Sequence, residues 1–215
     1  ILPYAIISQW HKFLKLTLRQ TLISAIAGIA LAIHFLSWIA SLEYTNVANS
    51  TILVTTSPIW VALLSSMFLK ERPSRNQIIA IGITTLGIFL VCTEQLVTHV
   101  EKTNSLFGNS LALIGAISIS FYLLISRTQR HSISLQLHVS LAYCFAAAFL
   151  CLFATFSGQT LHPNGLTKEA WFFIFLLAIG PQLIGHTIIN WAVRKMTATL
   201  VAISILGEPI GAAIL

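Results

Sequence analysis

Residues 45–77, TNVANSTILVTTSPIWVALLSSMFLKERPSRNQ, join a short polar lead-in, an apolar run interrupted by Pro58 and an abrupt basic end. The centre of this stretch recurs 151 residues later in the chain. PIWVALL at residues 58–64 aligns with PIGAAIL at residues 209–215, and four of the seven positions are identical. Because chance matches are common between apolar sequences, the repeat needs support from the residues before each proline.

A histidine before each proline supplies that support. His34 and His186 lie 24 and 23 residues before their respective prolines. One helical turn after each histidine comes a large or polar side chain, Trp38 in the first case and Asn190 in the second. We interpret the pattern as an internal repeat, a feature of several classes of membrane transporter.

The composition indicates a membrane protein. Apolar residues make up 56% of the chain, charged residues 8%, and the mean hydropathy is +0.86. So few charges cannot cover a soluble surface. The net charge of +6 is scattered in short clusters between apolar runs, so it predicts no nucleic-acid partner. Neither the three cysteines nor the histidines show metal-ligand spacing, so we predict no metal and no cofactor.

Seven apolar runs are long enough, or nearly so, to cross the bilayer, which takes about 20 residues of helix. We predict spans over residues 21–42, 47–69, 77–92, 107–126, 135–156, 170–193 and 197–215. The links between them are too short to hold a soluble domain.

The basic residues orient these spans, because Lys and Arg accumulate in cytoplasmic loops. If the loops alternate sides, one side holds ten Lys and Arg residues and the other only Lys102 and Lys168. We therefore predict that the loops at 9–20, 70–76, 127–134 and 193–196 are cytoplasmic in a multi-pass protein of the cell membrane. Five crossings separate the two prolines, so the two repeats are inverted. Inverted repeats are the architecture of alternating-access transporters.

The chain resembles the EamA-type permeases of the drug/metabolite transporter superfamily. The resemblance is carried by SLEYTNVANSTILVTTSPIWVALLSSMFLKERPSRNQ at residues 41–77 and by GHTIINWAVRKMTATLVAISILGEPIGAAIL at residues 185–215. It implies an all-α bundle of ten helices in two inverted five-helix repeats, here residues 1–98 and 107–215. It also implies that the family's first helix, most of its second and its tenth are missing, which leaves about seven complete or nearly complete helices.

Several polar and aromatic side chains inside the spans are candidates for a solute cavity. His34 and Trp38 fall on the helix face opposite a stripe of small residues, and an imidazole facing lipid is costly. His186, with Asn190 one turn on, is the expected symmetry mate of this pair. Tyr143 and Trp191 complete the candidate set, although Trp191 could instead anchor the chain at the membrane interface. Each histidine could also simply bond a neighbouring helix.

Pro58 and Pro209 are candidates for helix kinks or a gate, since a proline removes a backbone hydrogen bond; static kinks are the alternative. Glu208 is the only carboxylate well inside a span and a candidate for proton or cation coupling. It could equally be a protonated side chain that bonds locally.

The spans contain no Lys or Arg, which argues against phosphorylated solutes. We therefore expect export or import of a small neutral, zwitterionic or aromatic metabolite such as an amino acid, with a homodimer as a further expectation. An intramembrane hydrolase would need an Asp, a GxSxG motif or a metal cluster, none of which the sequence contains. The remaining alternative is a non-transporting membrane accessory subunit.

Overall fold

The computed structural model describes residues 9–97, 105–159 and 165–207, and all the regular elements in these ranges are helical. They are α1 (Trp10–Phe13), α2 (Leu18–Tyr44), α3 (Val47–Val54), α4 (Ser57–Leu64), a π-helix π1 (Ser65–Leu69), α5 (Arg75–Val97), α6 (Ser105–Thr128), a short 3-10 turn (Gln129–His131), α7 (Leu135–Phe156), α8 (Lys168–Leu177), a second π-helix π2 (Ala178–Gly185), α9 (His186–Lys195) and α10 (Ala198–Ile205). The predicted all-α polytopic class is confirmed.

Among the residues that the structure describes, five continuous helical segments are long and apolar enough to cross a membrane, as expected for a multi-pass protein. They are Leu18–Tyr44, Val47–Leu69, Ser105–His131, Leu135–Phe156 and Lys168–Lys195. Each coincides with a predicted span. The predicted span at 77–92 lies within helix α5, and the span at 197–215 begins with α10 and continues outside the described residues.

Small residues let α2 pack closely on α6 and α7, its main neighbours. Gly28 of α2 faces α7 so closely that an added Cβ would overlap the Ala142 carbonyl. On α6 small residues at four-residue spacing are buried, namely Gly108, Ala112, Ala116 and Ser120. Gly108 approaches the backbone at the end of α2, and Ser120 bonds to the start of α4.

The four basic loops meet at one end of the bundle, which we call the basic end (residues 9–20, 70–76, 127–134 and 193–196). The loop at 127–134 contacts the other three: Gln20 donates to the Ser132 carbonyl, Arg127 pairs with Glu71, and Arg194 donates to the Ile133 carbonyl. At the opposite end, Thr45 bonds to Asn109 over 2.7 Å. The grouping of charges inferred from the sequence is therefore confirmed, while their assignment to the cytoplasm stays a prediction.

The helix ends reproduce the internal repeat at a constant offset of 151 residues. Thr45 ends α2 in an extended conformation (φ −127°, ψ 170°), and Met196 ends α9 in nearly the same one (φ −120°, ψ 167°). The next residue caps an eight-residue helix in both copies: Asn46 caps α3 and Thr197 caps α10. Since α2 runs away from the basic end and α9 runs towards it, the two copies have opposite directions.

This register corrects the expected pairing of the two histidines. At an offset of 151 residues, His186 corresponds to Phe35, and His34 corresponds to Gly185. The one-residue discrepancy adjoins π2, which ends at Gly185 and contains Pro181. A π-helix accommodates additional residues per turn and often lies at a functional site. His186 is therefore not the symmetry mate of His34.

The interruption expected at Pro58 takes the form of a break between α3 and α4. Thr55 and Thr56 separate the two helices, and Pro58 lies in the first turn of α4. At that position a backbone N–H has no partner within the helix, so proline costs no hydrogen bond. Across the break, the Ser120 hydroxyl of α6 donates to the Ser57 carbonyl over 3.1 Å. Pro209 and Glu208 lie outside the described residues.

Candidate functional site

Aromatic and imidazole rings from α2, α6 and α9 form one cluster. On α2 the His34 ring lies 5.1 Å from Phe35 and stacks on Trp38 at 5.8 Å, measured between ring centroids. Phe35 meets His186 of α9 edge to face at 5.4 Å, and His186 in turn lies 6.3 Å from Tyr122 of α6. We call these five residues the central cluster.

Hydrogen bonds hold the central cluster in place. The His34 Nδ1 lies 2.9 Å from the Gly115 carbonyl of α6. Since a carbonyl only accepts, Nδ1 carries the hydrogen of the neutral ring. Asn190, buried on α9, uses its amide NH2 to donate to the Tyr122 hydroxyl and, over 2.6 Å, to the His186 carbonyl. The geometry of the cluster is therefore fixed by bonds from α6 to both α2 and α9.

Tyr143 joins the same region from α7. Its hydroxyl donates to the Gln182 carbonyl of π2 over 3.2 Å. The polar groups of this region therefore come from five helical segments: α2, α6, α7, π2 and α9. Two of these segments, π2 and α9, meet at His186, where the helix changes from π to α geometry.

Four buried polar atoms of this region have no hydrogen-bond partner among the described residues: Nε1 of Trp38, Nδ1 of His186, Oγ1 of Thr187 and Oδ1 of Asn190. An unsatisfied buried polar atom costs about 1–3 kcal/mol, so such atoms are rare in native proteins unless water or a ligand completes them. Three of the four belong to α9, and the Trp38 ring stacks on His34 of the central cluster. These atoms are the candidate contacts for a polar ligand.

The site contains no charged side chain among the described residues. The Lys, Arg and Glu residues of α2 and α9 lie at the helix ends, at Arg19, Glu43, Arg194 and Lys195. In the part of the chain that the structure describes, no group of three or more His, Cys, Asp or Glu could hold a metal ion. The chemistry available at the site is therefore hydrogen bonding, aromatic packing and proton exchange at imidazole or hydroxyl groups.

An ion-pair cluster lies at the basic end. Arg127, 10% exposed, donates to the Glu71 carboxylate from Nη2 (2.9 Å) and Nε (3.1 Å), and from Nη1 to the Val193 carbonyl (2.7 Å). Arg130 adds a longer contact to Glu71 at 3.4 Å. We call Glu71, Arg127 and Arg130 the basic-end clamp. Glu71 lies just before α5, whereas Arg127, Arg130 and Val193 come later in the chain, so the clamp joins loops that are far apart in the sequence.

Comparison with known proteins agrees with this architecture. The profile of the EamA-like transporter family matches residues 1–93 and 106–215, which is nearly the whole chain. The chain belongs to the EamA-like transporter family. It is thus a multi-pass membrane protein of a transporter family, and the resemblance noted in the sequence is confirmed.

Individual relatives of this EamA-like protein are distant. The thiamine-repressible mitochondrial transport protein of Saccharomyces cerevisiae is 29% identical over 53% of this chain and 31% of its own length. The uncharacterized transporter YetK of Bacillus subtilis is 22% identical over 80% of the chain and 52% of its own length. An uncharacterized transporter of Archaeoglobus fulgidus is 22% identical over 88% of the chain and 64% of its own length. The chain thus spans about a third to two thirds of the length of these curated relatives.

The structure of this EamA-like protein brings most of the predicted cavity residues together. His34, Trp38, His186, Asn190 and Tyr143 all lie in or beside the central cluster. Trp191 does not: its side chain is 50% exposed on the outer face of α9, a position that fits the alternative of an interfacial anchor.

Sequence reasoning missed two residues of the central cluster, Phe35 and Tyr122. An aromatic residue in an apolar span carries no signal that separates a cavity position from a lipid-facing one. The register of the repeat could have identified Phe35, because it is the counterpart of His186 at an offset of 151 residues.

Proposed function

We propose that the protein is a secondary transporter that carries a small neutral or zwitterionic solute, such as an amino acid, through a site between its two repeats. The observation that carries the proposal is the presence of unpartnered buried polar atoms on Trp38, His186 and Asn190, in or next to the central cluster. Membership of a transporter family supports transport as the activity.

The donor and acceptor types at the site favour a zwitterion or a neutral heteroaromatic compound. The Trp38 Nε1–H is a donor only, the Asn190 Oδ1 is an acceptor only, and the His186 Nδ1 serves as either. A solute carboxylate would accept from Trp38 and His186. An amino group would donate to Asn190, and aromatic faces attract its positive charge. Without a cationic side chain in the described site, a phosphate group would lack its usual partners.

Alternating access is the mechanism that the fold supports best. The two copies of the repeat run in opposite directions, so a bundle of this kind can open to either side by equivalent motions. In the described conformation the clamp of Glu71, Arg127 and Arg130 closes the basic end, with Arg127 also bonded to Val193 near the end of α9. Opening of that end would require these bonds to separate. We further propose that the basic end is cytoplasmic and that the membrane is the plasma membrane, in line with the positive-inside rule and the bacterial relative.

A flux panel on the full-length protein in proteoliposomes tests the proposal. Neutral and aromatic amino acids are offered first, and both uptake and efflux are measured. We expect saturable flux that is lost in His34→Ala and in His186→Ala but kept in His11→Ala, a matched change at an exposed histidine of α1. Folded protein that moves none of the solutes would overturn the proposal and favour an accessory membrane subunit.

A further inference from the structure

Residues 9–20, which we call the entry segment, lie along the start of α7 at the basic end. At one end of the segment, the Gln9 amide donates a hydrogen bond to the Gln136 side chain over 2.8 Å. At the other end, Gln20 donates to the Ser132 carbonyl. Between these bonds a small apolar core joins the segment to α7 and the residue before its cap; it comprises Phe13, Leu16, Ile133 and Leu137. The entry segment is therefore held in place at both ends and in the middle.

The entry segment also carries large apolar side chains that the rest of the described chain leaves uncovered. Trp10, Leu14 and Leu18 are 50%, 63% and 76% exposed. Leu18 begins α2, and Leu22 and Ile26 are exposed at the next four-residue steps of that helix. Residues at this spacing share one face of a helix, so the exposed apolar surface continues from the segment into a membrane-spanning helix. The segment thus lies where acyl chains meet lipid headgroups.

Unpaired positive charges are interspersed with these apolar side chains. Lys12, Lys15 and Arg19 are all exposed. The first carboxylate of the sequence is Glu43, at the far end of α2, and the carboxylate of Glu71 is bonded to the arginines of the basic-end clamp. In the described part of the chain, no carboxylate forms an ion pair with any of the three cations of the entry segment.

We propose that the entry segment binds an anionic phospholipid in the leaflet at the basic end. The phosphate diester accepts hydrogen bonds from Lys12, Lys15 and Arg19. The acyl chains lie against the exposed leucines, and the Trp10 ring lies at the headgroup level, where tryptophan is enriched. The long stems of lysine and arginine cover apolar surface while their charged ends reach the headgroups. The proposal does not depend on which solute the protein carries.

A lipid is the occupant that satisfies both halves of this surface. A nucleic acid or an acidic peptide would neutralise the cations but would leave the apolar side chains uncovered. A zwitterionic lipid would cover the apolar side chains but has no net charge to neutralise three cations. Clusters of Lys and Arg beside a spanning helix attract anionic lipids for this reason.

Native mass spectrometry of the full-length protein in detergent tests the proposal. The probes are phosphatidylglycerol, which is anionic, and phosphatidylcholine with the same acyl chains, which is not. For the wild type we expect the first phosphatidylglycerol to bind more tightly than the first phosphatidylcholine. Replacement of Lys12, Lys15 and Arg19 by Gln should raise the Kd for phosphatidylglycerol at least about tenfold. These three side chains are exposed, so the variant should fold like the wild type.

The loop at 70–76 provides the matched control. It also has three exposed cations at the basic end, Lys70, Arg72 and Arg75, but it contains no large apolar side chain apart from Pro73. Their replacement by Gln removes the same charge, and we expect the Kd to change about twofold or less. An equal rise in Kd for the two triple variants would show that lipid follows the total charge of the basic end, which would overturn the site. A wild type without preference for phosphatidylglycerol would do the same.

Two further measurements separate charge, fold and acyl chains. The combined variant Lys12→Arg, Lys15→Arg and Arg19→Lys keeps every charge and should bind phosphatidylglycerol like the wild type; a loss of binding here would contradict the role of charge. Free glycerophosphoglycerol, the headgroup without acyl chains, should not displace the lipid at millimolar concentration. Displacement would show a simple anion site and would overturn the assignment to a lipid.

Discussion

Phe35 and His186 occupy equivalent positions in the two copies of the internal repeat and meet edge to face with ring centroids 5.4 Å apart. Equivalent residues of two repeats that touch lie close to the place where the repeats meet. We therefore propose that the two copies meet at the central cluster, the kind of place where inverted-repeat transporters bind their solutes.

The Phe35–His186 contact should contribute measurably to stability. In a double-mutant cycle with Phe35→Leu and His186→Gln, we expect a coupling energy of about 0.5–1.5 kcal/mol, typical of an edge-to-face ring pair. Thermal unfolding in detergent provides the measurement. The same cycle with Phe172→Leu, an exposed ring on α8, should be additive. Additivity for Phe35 as well would show that the two rings do not interact.

Trp38 and Trp191 allow the solute site to be tested with one kind of substitution. Trp38→Phe removes a buried donor beside the central cluster, so we expect the half-saturation concentration for solute to rise about tenfold. Trp191→Phe alters an exposed ring and should leave the half-saturation concentration nearly unchanged. Concentration-dependent flux in proteoliposomes measures both. Equal effects of the two changes would contradict the placement of the site.

The two arginines of the basic-end clamp should differ in their contribution to stability. Arg127→Gln removes a buried side chain that bonds both Glu71 and the Val193 carbonyl, and we expect a loss of about 2–4 kcal/mol. Arg130 is a third exposed and makes only the 3.4 Å contact to Glu71, so Arg130→Gln should cost less than about 1 kcal/mol. Thermal unfolding of the two variants in detergent measures both losses of stability. A larger loss for Arg130→Gln than for Arg127→Gln would contradict the described clamp.

Replacement by alanine should have opposite effects on stability at two glycines, one in the close contact of α6 with the end of α2 and one on α5. A Cβ at Gly108 would lie 2.7 Å from the Thr45 backbone nitrogen, so Gly108→Ala should destabilise the protein by about 1–3 kcal/mol. Gly87 on α5 has no neighbouring atom within 4 Å of such a Cβ among the described residues. Gly87→Ala should be neutral or stabilising by up to about 1 kcal/mol, since alanine favours helix. Unfolding midpoints that fall equally would disprove the difference in packing.

Apolar runs and small-residue stripes in the sequence were sufficient to predict the spans and much of their packing. Long apolar runs have few alternatives to a spanning helix. The charge count also grouped the basic loops correctly, because short links leave little freedom in topology. Contacts such as that between Arg127 and Glu71 were not predictable, since 56 residues separate the partners and many other charges share the same end.

The candidate site was predicted in its residue types but not in its register. His34 and His186 stood out because imidazole is costly in a membrane, yet their pairing as symmetry mates was wrong by one residue. The cause is the spacing to the end of each helix: His186 lies ten residues before Met196, whereas His34 lies eleven before Thr45.

This one-residue difference between the two copies has an energetic consequence for transport. A carrier with two identical halves would have inward-open and outward-open forms of equal free energy in a symmetric membrane. Here one half presents His186 where the other presents Phe35, and Gly185 where the other presents His34. Under the proposed mechanism the two forms expose different side chains to water, so their free energies differ and the empty carrier rests preferentially on one side. The preference favours solute capture from one compartment even before any gradient is applied.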